Sequence, residues 1–152
     1  MEMAMHDHQV CINHAMQMAK NVCKRNEQEL TPLRQAVLKL IWNSHQPMTA
    51  YQILADLSKK RKMVAPPTVY RTLEFLEKNG LIHKIESLKA FIGCSHPDQN
   101  HGSVFLICRK CNYVQEELDM HGQSNIDKIV NKNTFLPQSY VVEVIGFCKS
   151  CH

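Results

Sequence analysis

The chain has 152 residues, 44% of them hydrophobic, with 18 Lys or Arg against 14 Asp or Glu, enough length for one domain or two small ones. No long uncharged apolar run occurs, and Met1 to Gln9 carries Glu2, His6, Asp7 and His8 where a leader peptide needs an apolar centre; neither a membrane span nor a secretion signal is expected, and the expected site of action is the cytoplasm. The positive charge is concentrated, since residues 31–94 hold ten Lys or Arg and four Asp or Glu; that surplus suits a phosphate-binding surface, although a solvated basic face would have the same composition.

Residues 1–9 show no apolar period and are expected to form a flexible tail. His6, His8, Cys11 and His14 could catch a metal there, or be simply tail and helix surface. From Val10 to about Asn26, the residues Ile12, Ala15, Met16, Ala19, Val22 and Cys23 recur at helical spacing, so Cys23 reads as core. Thr31-Pro32 predicts a helix start, with the hydroxyl as N-cap and proline in the first turn. Leu33, Val37, Leu40 and Ile41 follow on one face. After Pro47, Thr49 and Gln52 have capping-box spacing, and Ala50, Ile53, Leu54 and Leu57 supply a third stripe. The cationic run Lys59 to Lys62 suits phosphate contact or plain solvation equally well.

Pro66-Pro67 opens the next predicted helix. Val69, Leu73 and Leu76 form its apolar stripe, while Arg71 and Lys78 project from the opposite side. Asn79-Gly80 closes it as a left-handed cap. Leu81 to Ile85 and Ala90 to Cys94 then read as the two arms of a hairpin, or wing. With its turn centred near Leu88 and Lys89, His83 and Cys94 would lie across from each other. Three helices, a reading helix and a wing add up to a winged helix-turn-helix, and a small protein-binding bundle is the competing arrangement.

Beyond Cys94 the texture changes. Ser95 to Gly102 is a polar loop, Ser103 to Cys108 and Asn112 to Leu118 read as strands, and Ile126, Ile129 and Val130 mark a short helix. Tyr140 to Phe147 is an almost continuous apolar strand interrupted by Glu143. Such a strand needs cover on both faces, and in so small a unit a partner chain is a natural source of it.

Seven cysteines are present, four of them in two CxxC pairs, Cys108/Cys111 and Cys148/Cys151. Two such knuckles can place four thiolates around Zn²⁺ in a closed structural site. Thioredoxin-like redox chemistry, the rival use of CxxC, lacks its βαβ context. A second constellation is His83, Cys94, His101 and Glu116. Glu116 shares a strand face with Val114 and Leu118, where a carboxylate needs a partner and a cation is the simplest one. One thiolate, two imidazoles and a carboxylate favour Zn²⁺ over Fe²⁺ or Mn²⁺. The alternative is a wing histidine, a buried free cysteine and a loop histidine that never meet, and His96 competes with His101 for the loop position. The deaminase arrangement of His-x-Glu with Pro-Cys-x-x-Cys, a phosphate-binding glycine loop, a nucleophile elbow and His-Glu-x-x-His are all missing, so an enzyme is not expected.

The run Pro66-Pro67-Thr68-Val69-Tyr70-Arg71, with Leu73, Leu76 and Gly80-Leu81-Ile82-His83-Lys84 after it, resembles the ferric uptake regulator family, most of all its zinc-sensing branch. The match extends over about residues 10–151. The resemblance implies an α+β chain that acts as a dimeric metal-dependent repressor of zinc uptake genes: a winged-helix DNA-binding domain at 10–84, wing end and hinge at 85–95, and an α/β dimerisation and metal-binding domain at 96–152. It implies one structural Zn²⁺ on Cys108, Cys111, Cys148 and Cys151, and one regulatory Zn²⁺ on His83, Cys94, His101 and Glu116. It further implies operator DNA as partner, met by Tyr51, Thr68, Tyr70 and Arg71, with no small-molecule substrate beyond the metal. Iron-sensing relatives usually carry His-His-x-His where this chain has His96-Pro-Asp-Gln-Asn-His101, which points to zinc; an iron- or peroxide-responsive regulator is the alternative within the family.

Overall fold

The computed structural model describes residues 8–44, 46–60, 64–97, 102–118, 125–138 and 140–152. The chain divides into two compact units, residues 1–98 and 99–152.

Among the described residues, the first unit runs α1 (His8–Arg25), α2 (Pro32–Asn43), β1 (Met48–Thr49), α3 (Ala50–Lys60), α4 (Pro66–Lys78), β2 (Ile82–Ile85) and β3 (Ala90–Gly93). Helix α1 begins two residues before the expected start, and the expected tail otherwise falls on residues 1–7, outside the described ones. Its stripe is as read from the sequence, with Ala15, Met16, Ala19, Val22 and Cys23 buried. Helix α2 is capped by Thr31, whose hydroxyl accepts from the Arg34 N–H at 3.4 Å. Leu38, absent from the predicted stripe, is as buried as Val37 and Ile41, because α2 packs against α1, α3 and α4 and so needs a broader apolar face than a surface helix. At α3, the Thr49 N–H donates to Gln52 Oε1 (2.8 Å) and the Gln52 N–H to Thr49 Oγ1 (3.2 Å), which is the capping box.

Helix α4 buries Val69, Thr72, Leu73 and Leu76 and ends on Gly80 at φ +68°. There the Gly80 N–H donates to Glu77 O and the Leu81 N–H to Leu76 O, each at 2.9 Å. These two bonds form the Schellman arrangement, which turns the chain sharply into β2. The sheet has strand order β1-β3-β2, with β1 antiparallel to β3. The two-residue strand β1 was not legible in the sequence. It adds an edge to the wing and buries Met48 against the core that α1, α2, α3 and α4 share.

The second unit holds β4 (Ser103–Cys108), β5 (Val114–Leu118), α5 (Asn125–Lys132) and β6 (Val141–Gly146). Strand order is β5-β4-β6, with β5 antiparallel and β6 parallel to β4. The parallel pairing requires a crossover, and α5 lies in that connection. Phe105, fully buried on the central strand, anchors the sheet. The described residues of α5 include none that are buried, and no helix among the described residues is long and apolar enough to cross a membrane.

Candidate metal centre and nucleic-acid interface

The two CxxC pairs meet. Cys108 closes β4, and the turn after it is fixed by bonds from the Cys108 N–H to Tyr113 O and from the Asn112 N–H to Cys108 O, both 2.9 Å. Asn112 takes φ +57° there. The second knuckle follows β6, where the Cys151 N–H donates to Cys148 O at 2.8 Å. The parallel pairing of Cys108 with Gly146 and the bond from the Arg109 N–H to Gly146 O at 3.0 Å bring the two turns side by side. The four sulfurs lie within 4.8 Å of one another, with Cys111 and Cys148 3.8 Å apart.

A tetrahedron with Zn–S bonds of about 2.3 Å has S···S edges of about 3.8 Å, so the spacing fits a zinc ion held by all four thiolates. The electrostatics agree with that requirement. The Cys108 thiol is drawn down to about 6, first by the backbone amide of Cys148 and then by that of Cys111. Cys151 is pushed up to about 12, first by its side-chain contact with Cys148, then by desolvation and the thiols of Cys111 and Cys108. Like charges this close cannot all ionise unaided; a divalent cation held by Cys108, Cys111, Cys148 and Cys151 would supply the compensation, and a set of four sulfurs would select a soft one.

In the first unit, His83 lies on β2 opposite Ile92, and the pairing of Ile82 with Gly93 continues to Leu81 and Cys94, where the Cys94 N–H donates to Leu81 O at 3.0 Å. The hairpin is therefore centred between Ser87 and Leu88, one residue earlier than the sequence suggested, and His83 and Cys94 are not directly opposite. The reason is that Lys89 takes φ +49° and ends the turn, a left-handed conformation for which lysine gives no sequence signal. Leu81 and His83 nevertheless point to one side of β2, so Cys94 becomes the diagonal neighbour of His83. Their ligand atoms lie within 4.8 Å of each other, and Cys94 is only 3% exposed.

Glu116 lies on β5 opposite Phe105, on the side of the buried Val114, while Gln115 and Glu117 face out. The Ser103 hydroxyl donates to Glu116 Oε1 at 3.4 Å. Ser103, buried on β4, was missed in the sequence, because only the strand register places it near that carboxylate. His101 lies outside the described residues.

The expected DNA-facing residues all lie on exposed helix surface. Tyr51, 80% exposed, follows the capping box at the start of α3, and Tyr70, 60% exposed, stands in α4 beside the exposed Thr68 and Arg71. Thr72, by contrast, turns inward and donates to Thr68 O at 2.9 Å. In the cationic run, Lys59 pairs with Asp56 at 3.0 Å, and residues 61 and 62 lie outside the described ones.

A helix-turn-helix with a three-stranded wing, followed in the same chain by a small α/β unit gathering four thiols, defines a winged-helix protein with a thiolate metal centre. The chain belongs to the ferric uptake regulator family, whose model matches residues 25–145. It is 34% identical over 134 residues to the zinc uptake regulation protein of Escherichia coli (strain K12), covering 88% of this chain and 78% of that one. Among solved structures it is similar to a zinc uptake regulator complexed with zinc and DNA, with TM-score 0.84 and 31% identity over 95% of each chain. It is similar also to holo XcZur, with TM-score 0.80 and 36% identity over 91% of this chain and 96% of that one.

Proposed function

We propose that the chain is a zinc-responsive transcriptional repressor that binds operator DNA as a homodimer in the cytoplasm when its regulatory centre is filled, turning down genes for zinc uptake. The observation that carries this reading is the closeness of His83 and Cys94 at the base of the wing. The Cys94 amide is bonded to Leu81, and Leu81 to the last turn of α4, so a ligand set there is tied to the helix that would read DNA. The zinc uptake regulators that this chain resembles support the same reading.

Cys108, Cys111, Cys148 and Cys151 would hold one structural zinc per chain, and His83, Cys94, His101 and Glu116 one regulatory zinc. The metal supplies a divalent charge that lets thiolate, imidazole and carboxylate share one position. His83 and Cys94 belong to the first unit and Glu116, with residue 101, to the stretch 99–152. A shared ion would therefore restrain the joint between the two units, which falls after the paired strands of the wing and not within residues 85–95. The two reading heads of a dimer then sample fewer separations, and the population matching successive major grooves rises. Arg71 and Tyr51 would meet bases, with Thr68 and Tyr70 beside them. The second copy would cover the exposed apolar surface of the α/β unit, where Leu106, Tyr113, Val144 and Phe147 line a cleft of about 660 Å³ next to the four thiols.

The test is metal replacement at the regulatory centre, followed by binding to a duplex selected from a random pool in the presence of zinc. Zinc is expected to restore binding, and Fe²⁺ or Mn²⁺ to restore little. Equal restoration by Fe²⁺ would favour an iron- or peroxide-responsive regulator, and binding that ignores metal would refute the reading.

A further inference from the structure

Trp42 is the chain's single tryptophan and stands in the last turn of α2, packed against the first unit's core. Its indole lies directly on Gly93. A Cβ at Gly93 would stand 2.4 Å from Trp42 Cε2 and 2.5 Å from Nε1, far inside the contact distance of non-bonded heavy atoms. Gly93 has no left-handed φ, unlike Gly80, so glycine is needed there for space and not for backbone freedom. The next residue is Cys94. Trp42, Leu38, Leu81, Pro97 and Cys94 border a small opening of about 10 Å³, room for about one water molecule beside the thiol.

We infer that Trp42 is a positioning residue for the regulatory centre: its ring, seated on Gly93, fixes where the Cys94 thiol stands relative to His83. The inference rests on Cys94 being a zinc ligand. An indole offers a single N–H donor and no lone pair for a metal, so Trp42 acts only through its neighbour. The contact also joins α2, whose Leu38 and Ile41 belong to the first unit's core, to the end of β3, directly before Cys94.

Supporting groups outside a metal's ligand set typically change affinity by about 10–100-fold when disturbed. With the four-cysteine centre already loaded, Gly93→Ala should weaken binding of the second zinc by about tenfold or more, measured by competition against a chromophoric chelator. Adding Trp42→Leu opens the space, and the double variant should bind within about threefold of Trp42→Leu alone. Thermal melting of each variant separates a displaced ligand from a damaged core. Wild-type protein that takes up no second zinc, or a Cys94→Ser variant that keeps it, would overturn the reading of the site and this inference with it. Wild-type uptake that depends on Cys94 but is unchanged in Gly93→Ala would overturn the inference alone, as would a double variant no tighter than Gly93→Ala. Should Gly93→Ala fail to fold, Trp42 emission decides: the second zinc should change it in the wild type and not in Cys94→Ser, and an unchanged wild-type emission would overturn the inference.

Discussion

Gly80→Ala tests the joint between reading helix and wing. Gly80 holds φ +68° while it and Leu81 donate the two bonds that close α4. A methyl group would meet nothing nearer than Pro97 O at 3.8 Å, so crowding contributes little and the cost is that of the backbone conformation. Holding an L residue in the left-handed region costs about 1–2 kcal/mol, and the stiffer unfolded chain of an alanine variant offsets about 0.4–1 kcal/mol of it. The net expectation is a loss of about 1 kcal/mol, or about 4–8 °C in Tm for a unit of this size. Differential scanning calorimetry reads the shift, and Gly80→Asn, which tolerates this region better, should lose less. A Gly80→Ala protein that melts at or above the wild-type temperature would refute the capping argument and, with it, the rigid link from α4 through Leu81 to Cys94.

Cys94→Ser is expected to give a folded dimer whose DNA binding no longer responds to zinc; full zinc-induced binding by this variant would remove Cys94 from the centre. Cys148→Ser takes one sulfur from the 3.8 Å pair with Cys111, so the purified protein should carry less zinc and melt lower; an unchanged zinc content and dimer would speak against a structural site. Arg71→Ala should lose about 1–3 kcal/mol of preference for a selected duplex over random DNA. Equal losses on both duplexes would instead place Arg71 on phosphates.

Features that depend on local spacing were legible in the sequence. The Thr31 cap, the Thr49/Gln52 box, the Asn79-Gly80 ending and both CxxC knuckles announce themselves within a few residues, because their chemistry is satisfied within a few residues. Strand β4 was legible over its full span, bounded as it is by a polar loop and a knuckle. Features decided at a distance were not. Strand β1 is too short to show alternation and exists only because β3 passes beside it. The wing's register turned on the left-handed Lys89, and the depth of Leu38 on the several helices around α2. The seat of Trp42 on Gly93 joins residues 51 positions apart, and neither residue type hints at the other. His83 and Cys94 were correctly singled out as neighbours, yet they meet along a diagonal and not across a rung.

The most direct test of the central claim is zinc content per chain followed together with affinity for the selected duplex while a chelator removes metal in steps. The account predicts two zinc ions per chain in the DNA-binding form, with loss of the more weakly held one abolishing DNA binding while the dimer and the other ion persist. Undiminished DNA binding by protein that retains only the ion on Cys108, Cys111, Cys148 and Cys151 would contradict it.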